Sequence, residues 1–172
     1  DNVLTYISSH DTGLTRVGSQ YEVGTGLVLL PGGVQIFYGD ESSRPKAYTG
    51  CGDGDMMTRG DMNLNEAKTS GVTAHWGKVG NFRKFNPAVG AGKGSACKRT
   101  YTGPAGDNKV AIGISGASVD VSGLFTDGTT VYNWYDGKSA QVSGGKVTFT
   151  GGSMKQPILV SDRNPADCGV TF

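Results

Sequence analysis

Apolar and polar positions change their period about halfway along this chain. In the first half, Val3 to Ser8 is a short β-branched and apolar run. Its first members read as buried on both faces, as in a strand of a parallel sheet. Tyr21, Val23, Leu27 and Leu30 then recur at helix-like spacing and stop at Pro31-Gly32, with Gly24 and Gly26 weakening the helix. Val34 to Tyr38 is a second short strand. Strand, helix, strand predicts one βαβ unit whose two strands run parallel. Residues 39 to 70 are polar and rich in Gly, Asp and Asn, and a loop of that length is more often functional than filler. Trp76, Val79, Phe82 and Phe85 predict a helix over Val72 to Phe85, stopped by Asn86-Pro87.

After Pro87 the pattern shortens. Strands are predicted at Cys97 to Tyr101, Lys109 to Ile114, Thr130 to Tyr135, Ala140 to Ser143, Lys146 to Thr150 and Pro157 to Ser161. The turn signals between them include Gly106-Asp107-Asn108, Asp127-Gly128, Asp136-Gly137 and Gly144-Gly145. Regular short strands with such turns predict an antiparallel β-sandwich, with a boundary near residue 92.

Composition adds limits. Of 172 residues, 36% are hydrophobic and 18% charged, and the net charge is +1, which gives no reason to expect nucleic acid or an anionic membrane surface as partner. No apolar run approaches the roughly 20 residues of a membrane span. The 29 glycines are scattered without a collagen period, as a turn-rich β fold requires. The chain opens Asp1-Asn2-Val3-Leu4, a strand pattern with no preceding cap, and reads as a piece of a longer polypeptide. Cys97 precedes the β region and Cys168 follows it, so a bridge between them is expected to tie its ends and would imply an oxidising compartment. The alternative is three free thiols, with Cys51 the third.

The order of parts carries a resemblance. The first strand ends in His10-Asp11, about 20 residues before Leu30-Pro31-Gly32-Gly33-Val34-Gln35-Ile36-Phe37-Tyr38-Gly39-Asp40-Glu41. A long loop follows, then a helix carrying Phe82-Arg83-Lys84 before Asn86-Pro87-Ala88, then the β region. This resembles the C-terminal third of the α-amylase family of retaining glycoside hydrolases. The resemblance implies an α/β barrel fragment over residues 1–91, holding the last strands and helices of a (β/α)₈ TIM barrel. An all-β C-terminal antiparallel β-sandwich would follow over residues 92–172. Asp40-Glu41-Ser42-Ser43-Arg44-Pro45 and Thr58-Arg59-Gly60-Asp61-Met62-Asn63 look most like a secreted or periplasmic bacterial subgroup. The chain departs from the family at Ser9, where Asn is usual, and the Arg that often follows His-Asp has Arg16 as its nearest candidate.

What the resemblance implies chemically can be set out residue by residue. Retaining glycosidases place two carboxyl groups about 5 to 5.5 Å apart across the scissile bond. The family adds a third carboxylate that stabilises the transition state, and Asp11 matches it. Such a group holds sugar hydroxyls as the ring distorts, and its charge keeps the neighbouring general acid protonated. His10 matches the family's substrate-binding histidine, and Arg59 is a further substrate-binding candidate. The nucleophile and general acid lie on earlier barrel strands of the family and have no counterpart here, so the chain alone is expected to be inactive. The implied partner is an α-glucan oligosaccharide or polysaccharide. No cofactor or metal is expected in this chain, the family's calcium being bound outside this portion. Two parallel strands and their helices cannot bury both faces of a sheet, so the first half is expected to pack on the missing barrel portion, on another copy, or in a rearranged form.

Other features are weaker. Asp40 and Glu41 read as structural carboxylates of the loop. Asp61, Asn63 and Asn65 have calcium-loop spacing, but Glu66 stands where Gly is required. Asp53 and Asp55 read as a solvated turn, and Gly92-Lys93-Gly94 lacks the residues of a phosphate loop. Gly24-Thr25-Gly26 lacks the third glycine of a dinucleotide turn, and Arg59-Gly60-Asp61 is a tripeptide easily met by chance. Trp134 and Tyr135 are candidates for a sugar-stacking platform, but adjacent strand residues face opposite sides, so one is core. Trp76 reads as helix core. Two competing readings are a non-catalytic carbohydrate-binding or structural sandwich module, and one half of a split enzyme.

Overall fold

The computed structural model describes residues 4–5, 20–34 and 71–172. Strand β1 (Leu4–Thr5) and strand β2 (Gly33–Val34) pair in parallel, Leu4 against Gly33 and Thr5 against Val34. Helix α1 (Gln20–Leu29) lies between them in the chain, as the predicted βαβ unit requires. The rest of both predicted strands lies outside the described residues. Helix α2 spans Val72–Phe85, the range its apolar spacing predicts, and buries Val72, His75, Trp76, Val79 and Phe82. Asn86 is extended there (φ −119°, ψ 92°), and its backbone and side-chain N–H groups both return to the Phe82 carbonyl, at 3.1 and 3.0 Å. Pro87 then opens the short helix α3 (Pro87–Ala91), where its missing N–H costs nothing.

The second half is antiparallel throughout. Strands β3 (Lys93–Gly94), β4 (Lys98–Tyr101), β5 (Asn108–Gly113), β7 (Thr130–Asn133), β8 (Ser139–Gln141) and β10 (Ile158–Ser161) form one sheet in the order β3-β4-β5-β10-β7-β8. Strands β6 (Ser118–Asp120) and β9 (Lys146–Thr148) form a second, two-stranded sheet. The sequence pattern misses β3 and β6 because each is short and exposed, with Val119 as the one buried side chain of β6. Gly106, Gly128, Gly137, Gly144 and Gly145 all have positive φ at the turns their neighbours announce. Gly152 is obligatory for space as well: φ is 89°, and an added Cβ would fall 1.9 Å from the Gly116 carbonyl oxygen.

Strands β5 and β10 are central and covered on both faces. Ala111, Ile158 and Val160 face Val119 and Val147 of the small sheet, with Val121, Phe125, Val131, Val142 and Phe149 completing that core. Val110, Ile112 and Leu159 turn the other way, onto Val79 and Phe82 of α2, Ala88 and Val89 of α3, and Val28 of α1. Trp134 fills the middle of this second core, tilted against Phe82 and stacked on Phe85. The apolar helix faces of the first half are therefore covered at least in part by the chain's own sheet. The expectation that they need cover from outside was drawn from two strands and their helices taken alone.

The cysteine bridge is not formed: Cys97 and Cys168 are both free thiols. The chain enters β4 from Cys97, whose carbonyl accepts from Ile112 near one end of β5. It leaves β10 after Ser161, which pairs with Val110 toward the other end, before reaching Cys168 in the 3-10 helix Pro165–Cys168. The sequence order that brackets the β region thus starts the two cysteines toward opposite ends of its strands. Cys51 lies outside the described residues.

Candidate functional site

Asp11, His10 and Arg59 lie outside the described residues, as do Asp40 and Glu41. The structure describes the frame from which the two candidate segments depart: β1, which leads toward His10-Asp11, and β2, which leads toward Gly39-Asp40-Glu41.

That frame is fixed at the C-terminal end of α1, where the last carbonyls of a helix have no partner within it. Two arginines supply the donors. Arg83, on α2, donates from Nη1 to the carbonyls of Leu27 and Leu30, both at 2.8 Å, and from Nη2 to the carbonyl of Gly32. Arg99, on β4, donates to the carbonyls of Val28 (3.3 Å), Leu29 and Val89. It is held in turn by the carbonyls of Ser95 and Ala96, at 3.2 and 3.1 Å. Gly32 has φ 77°, and its N–H donates to the Gly90 carbonyl at 2.8 Å. Burial pushes the Arg83 guanidinium below its usual range, with the Arg99 charge adding to it, and burial does the same to Arg99. The negative end of the helix dipole offsets that cost.

A second polar node joins α1, α2 and the sheet. His75 is 1% exposed. The Thr25 hydroxyl donates to the Met154 carbonyl at 2.6 Å, so it accepts from His75 Nε2 at 3.2 Å. Nδ1 lies 2.9 Å from the Tyr135 hydroxyl, which also reaches the Lys155 carbonyl at 3.3 Å. Burial lowers the His75 pKa to about 4, a bond with the Tyr21 backbone opposes the shift, and the Lys78 charge assists it. Trp76 donates from Nε1 to the Gln20 carbonyl at 2.9 Å, and is core as expected. A third node, Asn86, Asn108 and Ser161, is buried between α3 and the sheet, with Asn108 also accepting from the Ala88 backbone.

Of the proposed sugar platform, Trp134 is fully buried, with Nε1 donating to the Arg163 carbonyl at 2.8 Å, and half-buried Tyr135 turns its hydroxyl to His75. An open cleft of about 240 Å³ lies beside Cys97, Lys98, Ile112 and Asp120, with the Lys98–Asp120 ion pair (2.6 Å) in its wall. Its lining has no aromatic ring on which a sugar face could stack. Among the described residues no group of three or more His, Cys, Asp or Glu could hold a metal ion, and no helix is long and apolar enough to cross a membrane. Sequence reasoning did not single out Arg99 or His75 and saw Arg83 only as part of Phe82-Arg83-Lys84. His75 had one readable signal: it shares the apolar stripe of α2 with Val72, Trp76 and Val79. Arg99, between Lys98 and Thr100, had none.

A parallel strand-helix-strand unit thus lies against one face of an antiparallel two-sheet region. Comparison with known proteins finds α-amylases among those this chain is similar to. It is 52% identical over 94 residues to the periplasmic α-amylase of Escherichia coli (strain K12), a match covering 54% of this chain and 14% of that protein. The solved structure of AmyP in complex with maltose superposes with a TM-score of 0.61 at 13% identity, covering 94% of this chain and 41% of that one. An Anoxybacillus α-amylase does so with a TM-score of 0.59 at 17% identity, covering 93% and 38%. At such identities these structures speak for the fold. No family model matches the chain. The chain thus spans well under half the length of the relatives it matches.

Proposed function

We propose that this chain is the C-terminal part of an α-amylase-type enzyme that hydrolyses α-glucans with retention. Residues 1–91 would complete the catalytic barrel and residues 92–172 form its β-sandwich domain. In this reading Asp11 is the transition-state-stabilising carboxylate, His10 binds sugar hydroxyls beside it, and Arg59 contacts substrate. The parent enzyme is secreted or periplasmic. The chain by itself lacks nucleophile and general acid, is inactive, and takes the missing barrel portion as its partner.

The single observation that carries this reading is the 52% identity over 94 residues to an enzyme named a periplasmic α-amylase. The parallel pairing of Leu4-Thr5 with Gly33-Val34 supports the barrel part, because consecutive barrel strands joined by a helix pair this way. Maltose in the AmyP structure supports an α-glucan ligand.

The test is Asp11→Asn in the full-length polypeptide that carries this chain. The amide keeps the shape and removes the charge, and starch hydrolysis should fall on the order of 100-fold or more, as when other transition-state-stabilising groups are removed. Undiminished hydrolysis would refute the assignment. The chain alone, incubated with maltooligosaccharide, should release no reducing sugar, and steady turnover would refute its inactivity.

A further inference from the structure

We infer that the Tyr135 hydroxyl is a two-position switch that carries the protonation state of His75 to the loop between β9 and β10. Nothing in this node depends on the sugar site proposed above.

That loop, residues 151–156, bends on two glycines with positive φ, Gly151 (119°) and Gly152 (89°). Its tip is closed on itself. The N–H groups of Gly152 and Ser153 donate to the Gln156 carbonyl at 2.9 and 3.2 Å, and the Gln156 N–H donates to the Ser153 carbonyl at 3.2 Å. Two consecutive carbonyls of the tip meet hydroxyls from outside the loop. Met154 accepts from the Thr25 hydroxyl of α1 at 2.6 Å, and Lys155 lies 3.3 Å from the Tyr135 hydroxyl. His75 joins the two hydroxyls, 3.2 Å from the first through Nε2 and 2.9 Å from the second through Nδ1.

Each hydroxyl has one proton to give. Thr25 gives its proton to Met154, so Nε2 carries the hydrogen of the neutral ring and Nδ1 is bare. A bare nitrogen on a buried ring takes the Tyr135 proton, and Lys155 keeps only the longer contact. When the ring is charged, both of its nitrogens are donors. The Tyr135 oxygen must then accept from Nδ1, and its own proton turns to Lys155. Every one of these groups has a partner in both states, so the charge reverses one bond without breaking the node. The surroundings set the pH at which this happens. Tyr21 and Tyr135 face the ring with centroids at 5.1 and 5.5 Å, Lys78 of α2 lies over the Tyr135 ring at 4.6 Å, and Lys155 belongs to the loop. The carboxylates on these elements are Glu22 of α1 and Asp136 beyond Tyr135, the latter paired with Lys138. Burial, with Lys78 assisting, holds the ring neutral down to a pH of about 4.

The test is NMR on this chain with nitrogen-15 histidine, and with carbonyl carbon-13 lysine joined to nitrogen-15 glutamine, a pair that occurs once, at Lys155-Gln156. Near neutral pH the His75 ring, identified by the loss of its signals in His75→Gln, should carry its hydrogen on Nε2. As pH falls through about 4, the His75 nitrogens and the Lys155 carbonyl should shift with one midpoint. Tyr135→Phe keeps the aromatic ring beside Lys78 and removes the hydroxyl. There the Lys155 carbonyl should stay still while His75 titrates at a lower midpoint, because the charged ring has lost its acceptor. A hydrogen on Nδ1 near neutral pH overturns the inference. So does a Lys155 carbonyl that stays still while wild-type His75 titrates, or one that moves in Tyr135→Phe as it does in the wild type. Loss of the folded spectrum before His75 takes up its proton overturns it as well, since the folded node would then have only one state.

Discussion

In the sheet of residues 93–161, β5 and β10 are covered on both faces, and the core beneath the small sheet is aliphatic and aromatic, with the Lys98–Asp120 ion pair joining the two sheets outside it. The helices on the opposite face are attached differently. They share the apolar core around Phe82 and Trp134, but their placement is set by Arg83, Arg99, the His75 node and the Asn86 node. Apolar contact is non-directional and tolerates sliding, whereas a carbonyl met by an N–H fixes a position. The sheet can therefore form from alternation and turns. The α/β segment depends on particular donors finding particular backbone oxygens.

The sharpest way to break this contrast is Phe82→Ala. Phe82, on α2, has no exposed surface and packs against Trp134. The truncation should cost about 4 kcal/mol, the usual range for a buried Phe, read as a lowered denaturation midpoint. Hydrogen exchange should show α1 and α2 opening before the pair of β6 and β9, whose Val119 and Val147 belong to the other core. Simultaneous loss of all elements would show one indivisible unit and erase the contrast.

The next effect is a pH dependence. His75 has a folded pKa of about 4 against an ordinary 6.5. The unfolded chain takes up the proton first. The full stability is present above pH 6.5, declines as pH falls from 6.5 toward 4, and stops declining from this source below that. The difference corresponds to on the order of 3 kcal/mol. In His75→Gln that part of the acid slope should vanish, so the wild-type minus variant stability curve isolates it. An identical slope in both would mean that His75 titrates freely and the node is open.

This explains what could be read from the chain beforehand. Val72 to Phe85 was legible because four large apolar side chains recur at helical spacing, and Pro87 cannot continue the helix. The parallel pairing of β1 with β2 followed from the helix between them. The strands of the second sheet were harder: β6 offers one apolar residue between Ser118 and Asp120, too little for a period. The cysteine expectation failed because order along a chain says little about which ends of the strands two residues reach. Arg99 could not be found at all, since an arginine on an edge-side strand looks the same in sequence whether it meets solvent or five backbone carbonyls. His10, Asp11 and Arg59 remain a reading of sequence motif and resemblance.

The smallest effect tests where the chain's own cover ends. Gly77 and Gly80 lie on the exposed side of α2, and a Cβ added at either meets nothing within 4 Å among the described residues. Glycine within a helix carries an entropic cost relative to alanine. In this chain Gly77→Ala and Gly80→Ala should each raise stability by about 0.5–1 kcal/mol. The informative measurement repeats both substitutions in the full-length polypeptide. The same gain there means that this side of α2 stays open to solvent. A loss at Gly77 or Gly80 means that another part of the full-length polypeptide packs against α2 closely enough to exclude a methyl group. The outward side of α2 would then be the place where the described helices, already covered by the sheet on their inner side, receive their second layer.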